Sequence, residues 1–271
     1  TPLYSSAASD VYKRQSEDLV RHMVLNSLRA HNKKFRKEYG EMVIACDSGN
    51  VWRKQIFPNY KAGRKANRAK SEHDWEFIFD VLAKIKQEIK DFLPYKVIAV
   101  ESAEADDIIA TLCKRTNEKV LILSGDKDFV QLQKFVNVDQ YDPIRKRKIA
   151  HKDPHLYLVE HIVKGDRGDG IPNALSPGDV FVTGGRQKPV RQTILTKIIE
   201  SIRICNAEEQ DWYEGFKRNE AIIDLEFTPD NIKVQVLAQF LANDERISRP
   251  GLFNFFVSRK LNNLIENISE F

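Results

Sequence analysis

Acidic side chains recur in this 271-residue chain at the ends of its most strand-like runs. Asp47 closes VIAC, Glu104, Asp106 and Asp107 come after VIAV, and Asp126 and Asp128 border VLILSG. Gathered carboxylates repel by on the order of 4 kcal/mol for a pair at about 4 Å in an effective dielectric near 20, so such a cluster calls for a cation. Oxygen ligands with no histidine or cysteine cluster beside them favour Mg²⁺, with Mn²⁺ as a substitute, over zinc. Two such ions could clamp a phosphodiester, one at the attacking and one at the leaving oxygen. Glu104 and Asp107, three apart at a helix start, are expected to share a face, and Asp126 and Asp128, two apart, to point the same way if extended. Asp166 and Asp169 form a further pair in the run GDRGDG at 165–170, where Gly165, Gly168 and Gly170 allow a tight turn whose N–H groups could meet phosphate. Singly, each of these acids is what turns and N-caps use. Three clusters after three strands are harder to explain that way.

Basic residues are kept apart from the acids. Arg53, Lys54, Lys61, Arg64, Lys65, Arg68 and Lys70 lie between positions 51 and 70 with no acid among them, although the net charge is only +4. Arg offers a bidentate fork and Lys a point charge for phosphate, and Trp52, Phe57 and Tyr60 interleave with them as candidate stacking surfaces. A second basic run, Arg145 to Lys148, could touch a duplex too, and an exposed hairpin tip explains it equally well.

The elements that must position these groups follow from periodicity. Apolar residues at helical spacing predict helices over 17–37 and 75–92, and strands are expected at 42–46, 96–100, 119–123 and 136–141 with a helix at 105–114. This alternation predicts an α/β fold, a mainly parallel doubly wound sheet whose strand ends share one edge, where ligands bind. Beyond residue 150 the pattern turns helical, over 155–164, 191–204, 208–223, 231–241 and 252–268, interrupted by a Gly- and Pro-containing stretch at 165–189. With 42% hydrophobic side chains the chain can bury a core and a smaller second lobe. Phe253, Phe255 and Phe256 are expected to face that core. No apolar run approaches the roughly 20 residues that span a bilayer and no leader opens the chain, so a cytoplasmic, membrane-free protein is expected. Cys46, Cys113 and Cys205 are widely spaced near apolar runs and read as buried free thiols. Residues 1–15 lack periodicity, and the run SSAASDVYKRQ looks like translated adapter sequence, so a non-native or disordered segment is expected there.

Taken in order, Asp47, Glu-Ala-Asp-Asp at 104–107, Ser-Gly-Asp-Lys-Asp at 124–128 and Gly-Asp-x-x-Asp at 165–169 resemble the 5′-nuclease, or flap-endonuclease, superfamily. The likeness is greatest to its T-even phage ribonuclease H branch and runs from about residue 19 to 271, including Leu-Pro-Tyr at 93–95 and the closing Asn-Ile-Ser-Glu-Phe. The resemblance implies a PIN-like nuclease core over 16–150, with a basic arch at about 51–72, and a helical DNA-binding domain over 151–271 containing a helix–turn–helix. It implies that Asp47, Glu104, Asp107 and Asp126 surround one Mg²⁺, that Asp128, Asp166 and Asp169 shape a second, and that Asp106 is an outer member. Lys61 and Arg64 would contact the scissile phosphate, Tyr60 would lie near the unpaired end, and the loop at 165–170 would hold the duplex backbone. Implied substrates are DNA flaps, nicked or gapped duplex and RNA–DNA hybrids, handled by a monomer, with a single-strand-binding protein or sliding clamp as candidate partners. The family's first strand ends in a metal-binding aspartate. Asp10 lacks the preceding apolar run, so that strand and its aspartate are expected to be missing.

The expected activity is therefore metal-dependent 5′-3′ exonuclease and flap-endonuclease hydrolysis, serving removal of RNA primers and flaps in replication. A branched-DNA-binding protein with an impaired centre is the non-enzymatic alternative, and a PIN-like RNase the third. Metal-dependent cutting, and preference for 5′ ends over single-stranded RNA, separate them.

Overall fold

The computed structural model describes residues 3–204, 206–242 and 249–271, with side chains described from 17 onward except at 66, 67 and 249. Cys205 and the expected segment 1–15, with Asp10, fall outside the described side chains.

In chain order the elements are α1 (Leu3–Tyr39), β1 (Val43–Ala45), α2 (Arg53–Ile56), α3 (Gly63–Ala69), α4 (Trp75–Phe92), β2 (Lys96–Ile98), α5 (Ala105–Arg115), β3 (Val120–Leu123), β4 (Val138–Asp142) and β5 (Arg147–Ile149). There follow α6 (Pro154–Lys164), α7 (Gln192–Arg203), α8 (Tyr213–Ile223), α9 (Asp230–Leu241), α10 (Arg249–Ser258) and α11 (Asn262–Ile265). A 3₁₀ segment, Lys127–Lys134, carries the residues just after β3 and was not expected.

The strands are shorter than periodicity suggests and pair as two sheets among the described residues, β1 with β2 and, separately, β3-β4-β5. β3 and β4 are parallel, whereas β5 returns antiparallel through the tight basic hairpin after Asp142. The sheet is thus mixed and divided, not one continuous parallel sheet. A two-strand hairpin can only close antiparallel, and strands of three to five residues leave the ladder little to extend.

Two compact units emerge, each from non-consecutive stretches. One comprises 1–44, 72–97 and 241–271. Its core gathers Leu25 of α1, Val81, Ile85 and Ile89 of α4, and Phe255, Phe256, Leu264 and Phe271 of the tail. The four-residue spacing along α4 is the buried stripe of an amphipathic helix. Its start is fixed by Asp74, which accepts from Phe77 N at 3.0 Å, and its end by Pro94. The expected single tail helix is split into α10 and α11. Lys260 adopts a left-handed φ of 55° between them, and Leu261 N bonds back to Phe256 O at 2.9 Å, which closes α10. Phe253 stays 45% exposed, unlike its two aromatic neighbours.

The other unit comprises 45–71 and 98–240. One of its cores packs Leu158 and Ile162 of α6, Leu195 and Ile198 of α7, and Trp212, Phe216 and Ile222 around Phe57 and Tyr60. A second joins Ala110 and Cys113 of α5 to Ile122, Phe129, Leu132 and Leu225. Cys113 is a buried free thiol as expected, and Cys46 is only partly buried. The described residues do not establish the expected helix–turn–helix; the stretch 165–191 lies between α6 and α7.

Gly165 ends α6 at φ 67°, and a Cβ there would meet the carbonyl oxygens of Ile171 and Pro172 at 2.5 Å. Gly165→Ala is expected to cost about 2–4 kcal/mol, combining left-handed strain with overpacking, as urea unfolding would measure. Loss of less than about 0.5 kcal/mol would contradict this close fit.

Candidate active site

Every candidate metal ligand belongs to the unit formed by 45–71 and 98–240. The N-terminus of α5 organises the first group. Its unpaired N–H groups and dipole attract carboxylates. Asp47 accepts from Ala105 N at 2.7 Å, and Glu104 and Asp107 close a reciprocal capping box in which Asp107 accepts from Glu104 N at 2.9 Å.

Beneath that turn lies an ion pair that the sequence did not announce. Arg53 is 2% exposed and donates through Nη1 and Nη2 to both Asp107 oxygens at 2.9 Å, through Nη1 to Glu104 at 2.9 Å, and through Nε to Ile222 O at 2.8 Å. Asp107, fully buried, also accepts from Trp52 Nε1 at 3.1 Å and Thr228 Oγ1 at 2.7 Å. Its acceptor capacity is spent inside the protein, so Asp107 is a structural carboxylate and not an inner metal ligand. Arg53, likewise, is a buried counter-ion and not a phosphate contact.

Asp106, the neighbour of Asp107, is only partly buried. Burial, and then the charges of Asp128, Asp126 and Glu104, push its carboxyl up to about 7. Asp128, on the 3₁₀ segment, is pushed up to about 6 by burial, with Asp126 and Asp166 adding to the effect and His161 and Lys127 opposing it. Asp126, the exposed N-cap of that segment, accepts from Asp128 N at 3.0 Å. A carboxyl that holds its proton more tightly folded than unfolded subtracts stability as pH rises from the ordinary carboxylate range through its folded pKa. In chelator, the melting temperature is expected to fall by about 4 °C between about pH 5 and pH 8, less so in Asp106→Asn, and to recover with a divalent ion. A flat or rising metal-free profile in thermal melts would refute this coupling.

The second group is the loop after α6. Asp166 Oδ1 accepts from Gly168 N at 2.8 Å and Asp169 N at 3.3 Å, and Ile171 N closes onto Asp166 O at 2.7 Å. Its Oδ2 meets Lys127 Nζ at 2.8 Å and lies 3.5 Å from the His161 imidazole. His161, then Lys127 and the Gly168 N–H, hold the Asp166 carboxyl well below the usual range against the effect of burial. Asp169 pairs with Arg64, and Lys61 pairs with Glu104 while lying 3.5 Å from Asp169. Gly170, at φ 75°, adopts the left-handed conformation that Gly and Asn tolerate best.

The basic run is therefore not one solvated surface. Lys54 and Lys65 are exposed, Arg64 is 49% exposed at its side chain, and Lys61 only 17%. Tyr60 is 4% exposed and donates to Glu104 at 3.0 Å and Asp169 at 3.2 Å, so it is not a stacking platform for an unpaired end. Burial, with Asp169 and Glu104 beside it, keeps the phenol protonated far above its ordinary range. Trp52 and Phe57 are buried as well. Arg68 lies in α3, in the basic stretch that flanks the carboxylate cluster.

His161 was missed. Asp128, His161 and Asp166 each offer a ligand atom within 4.8 Å of the others, and Asp128 Oδ1 and His161 Nε2 are buried without a hydrogen-bond partner. Orphaned polar atoms inside an acidic cluster suit a bound cation, so the residues fit a divalent-metal centre. The signal in the sequence was a histidine one helical turn ahead of Gly165-Asp166.

Two family models match the chain in succession, the 5′-3′ exonuclease N-terminal resolvase-like domain over residues 9–158 and the T4 RNase H C-terminal domain over 153–271. The chain belongs to the 5′-3′ exonuclease family. Ribonuclease H of Enterobacteria phage T4 is 31% identical to this exonuclease-family chain over 268 residues, covering 93% of it and 87% of the phage protein. Flap endonuclease Xni of Shewanella sp. (strain MR-4) is 33% identical over 149 residues, 51% of this chain and 54% of that protein. Among solved structures, the bacteriophage T5 flap endonuclease in a pseudo-enzyme-product complex with DNA and metal ions superimposes with a TM-score of 0.56 at 18% identity, covering 80% of this chain and 85% of that one. T5 5′-exonuclease with bound zinc gives 0.55 at 18% identity, covering 89% of both chains. The fold is the PIN-like 5′-nuclease fold, and the family is one of nucleases. Among the described residues no helix is long and apolar enough to cross a membrane.

Proposed function

We propose that this exonuclease-family protein is a structure-specific 5′-3′ exonuclease and flap endonuclease that hydrolyses phosphodiesters with two divalent ions, Mg²⁺ by preference and Mn²⁺ as a substitute. The observation that carries this reading is the cluster of Asp128, His161 and Asp166, whose ligand atoms lie within 4.8 Å of one another and include two buried atoms without a hydrogen-bond partner, with Lys61 on Glu104 and Arg64 on Asp169. Asp47, Glu104, Asp106 and Asp126 would hold one ion, and Asp128, Asp166 and Asp169 the other. Bound there, divalent ions supply Lewis-acid polarisation of the phosphate and a more acidic water.

The chain's own residues do the rest. Lys61 and Arg64 exchange carboxylate partners for phosphate oxygens, placing positive charge where negative charge develops. Tyr60 holds Glu104 and Asp169 in place through its shared hydroxyl. Arg53 and Asp107 fix the α5 turn from below. Lys54, Lys65 and Arg68 extend a basic surface for backbone phosphates, and Gly165, Gly168 and Gly170 shape the loop that carries Asp166 and Asp169, their own N–H groups being bonded within the protein. Residues 16–150 supply most of the carboxylates, and 151–271 the helices that grip duplex. Substrates are 5′ flaps, nicked or gapped duplex and RNA–DNA hybrids, and the role is removal of RNA primers and flaps in replication.

Incubation with a 5′-labelled flap, with and without Mg²⁺, tests the proposal against an Asp126→Ala, Asp128→Ala variant. Short 5′ fragments released only with metal and only by the unmutated chain are expected. Tight flap binding without cutting would instead favour a branched-DNA-binding protein.

A further inference from the structure

Three chain segments bring a mixed set of donors to one point. Asp128 comes from the 3₁₀ segment, His161 from the last turn of α6, and Asp166 from the loop that α6 feeds. His161 is 8% exposed, with Nδ1 3.5 Å from Asp128 Oδ1 and Nε2 3.5 Å from Asp166 Oδ2. Nε2 and Asp128 Oδ1 are both buried and both lack a hydrogen-bond partner. A buried polar atom left this way costs about 1–3 kcal/mol, and two belong to this cluster. One ligand atom from each of the three residues lies within 4.8 Å of the other two. Tyr157, edge-on to the imidazole with ring centroids 6.3 Å apart, packs against its orientation. The competing internal cation is Lys127, 2.8 Å from Asp166, whose side chain is 51% exposed and can withdraw to water.

Mg²⁺ takes oxygen ligands, whereas imidazole nitrogen suits borderline transition ions. We propose that His161 is a direct nitrogen ligand, with Asp128 and Asp166, in the second metal position, and that it biases that position toward transition ions such as Mn²⁺, the preference for Mg²⁺ proposed above belonging to the all-oxygen position. This rests on the reading of the acidic cluster as a metal centre, but it is tested without nucleic acid, so a failure to cut flaps and a failure of His161 to ligate are separate results.

The probe is Mn²⁺ alone, added to the full chain and read by electron spin-echo modulation from coupled ¹⁴N and by Mn²⁺ and Mg²⁺ titration calorimetry. The wild-type chain is expected to show histidine ¹⁴N modulation. His161→Gln should lose it and bind Mn²⁺ about 10–100-fold more weakly, with Mg²⁺ affinity changed by less than about threefold. His161→Asp, which restores an oxygen ligand, should recover Mn²⁺ binding without the nitrogen signal, and melting curves establish that each variant is folded. Absence of ¹⁴N modulation in the wild-type chain, or its persistence in either folded variant, would overturn the assignment.

Discussion

Arg53→Ala is expected to remove about 3–5 kcal/mol of stability, the largest loss from any single substitution outside the hydrophobic cores. The guanidinium is buried, which works against its charge, yet Asp107 beside it more than reverses the effect and raises its pKa. Without it the Asp107 carboxyl is left fully buried with no cation beside it, and Glu104 loses one of its partners. Arg53→Lys should recover little, because one ammonium cannot span both Asp107 oxygens, Glu104 and Ile222 O together. Urea unfolding of Arg53→Ala, Asp107→Asn and the double variant forms the appropriate cycle, and the pair should couple by more than about 1.5 kcal/mol. A single-variant loss below about 1 kcal/mol would mean that water or a neighbouring cation replaces the guanidinium.

Combining Lys61→Asn with Arg64→Ala is expected to slow single-turnover flap cleavage by about 10³-fold or more, since removing one preorganised donor typically costs about 10²–10³. Asparagine is the better replacement at position 61, where φ is 56° and the left-handed backbone would strain most other residues. Flap affinity, followed by fluorescence anisotropy, should weaken far less than the rate, because exposed Lys54 and Lys65 remain. Cutting within tenfold of the wild-type rate would remove these two cations from the chemical step. Both are paired with Glu104 or Asp169, so the double variant should also melt lower in chelator and regain the difference when a divalent ion is added.

Much of the site was legible because strand ends place acids predictably. Asp47, Asp106, Asp126 and Asp128 all follow strand-like runs, and the Gly165 loop was marked by its glycines. That Asp107 turns inward to Arg53 was not legible, for a specific reason. An acid three residues after an acid at a helix start is the spacing of a shared metal face and also of a capping box, and here the capping box claims Glu104 and Asp107 together. Nor does a basic run disclose which member turns inward. Arg53 does so because Asp107, Glu104 and Ile222 O supply a complete set of acceptors, and only tertiary structure brings them together. Tyr60 and Trp52 turn inward with it, each satisfied by one of the same carboxylates. The divided sheet was hidden because strands of three or four residues carry too few alternations to reveal their partners.

The end of α8 and the short connection toward α9 carry none of the proposed ligands, yet they hold Arg53, Gln131 and Asp107 beside several of them. Ile222 O receives Arg53, Ile223 O receives the Gln131 side chain from the 3₁₀ segment, Leu225 N donates back to Gln131, and Thr228 donates to Asp107. The two family matches meet near residue 155, but these bonds cross that point repeatedly. A gene fragment ending there would encode Asp47, Glu104, Asp106, Asp126 and Asp128 and still leave Arg53, Gln131 and Asp107 without their far-side partners. The two halves are accordingly not interchangeable modules: a chimera joining this first half to a relative's second half inherits a working centre only if the relative supplies the same carbonyls and hydroxyl at the same places.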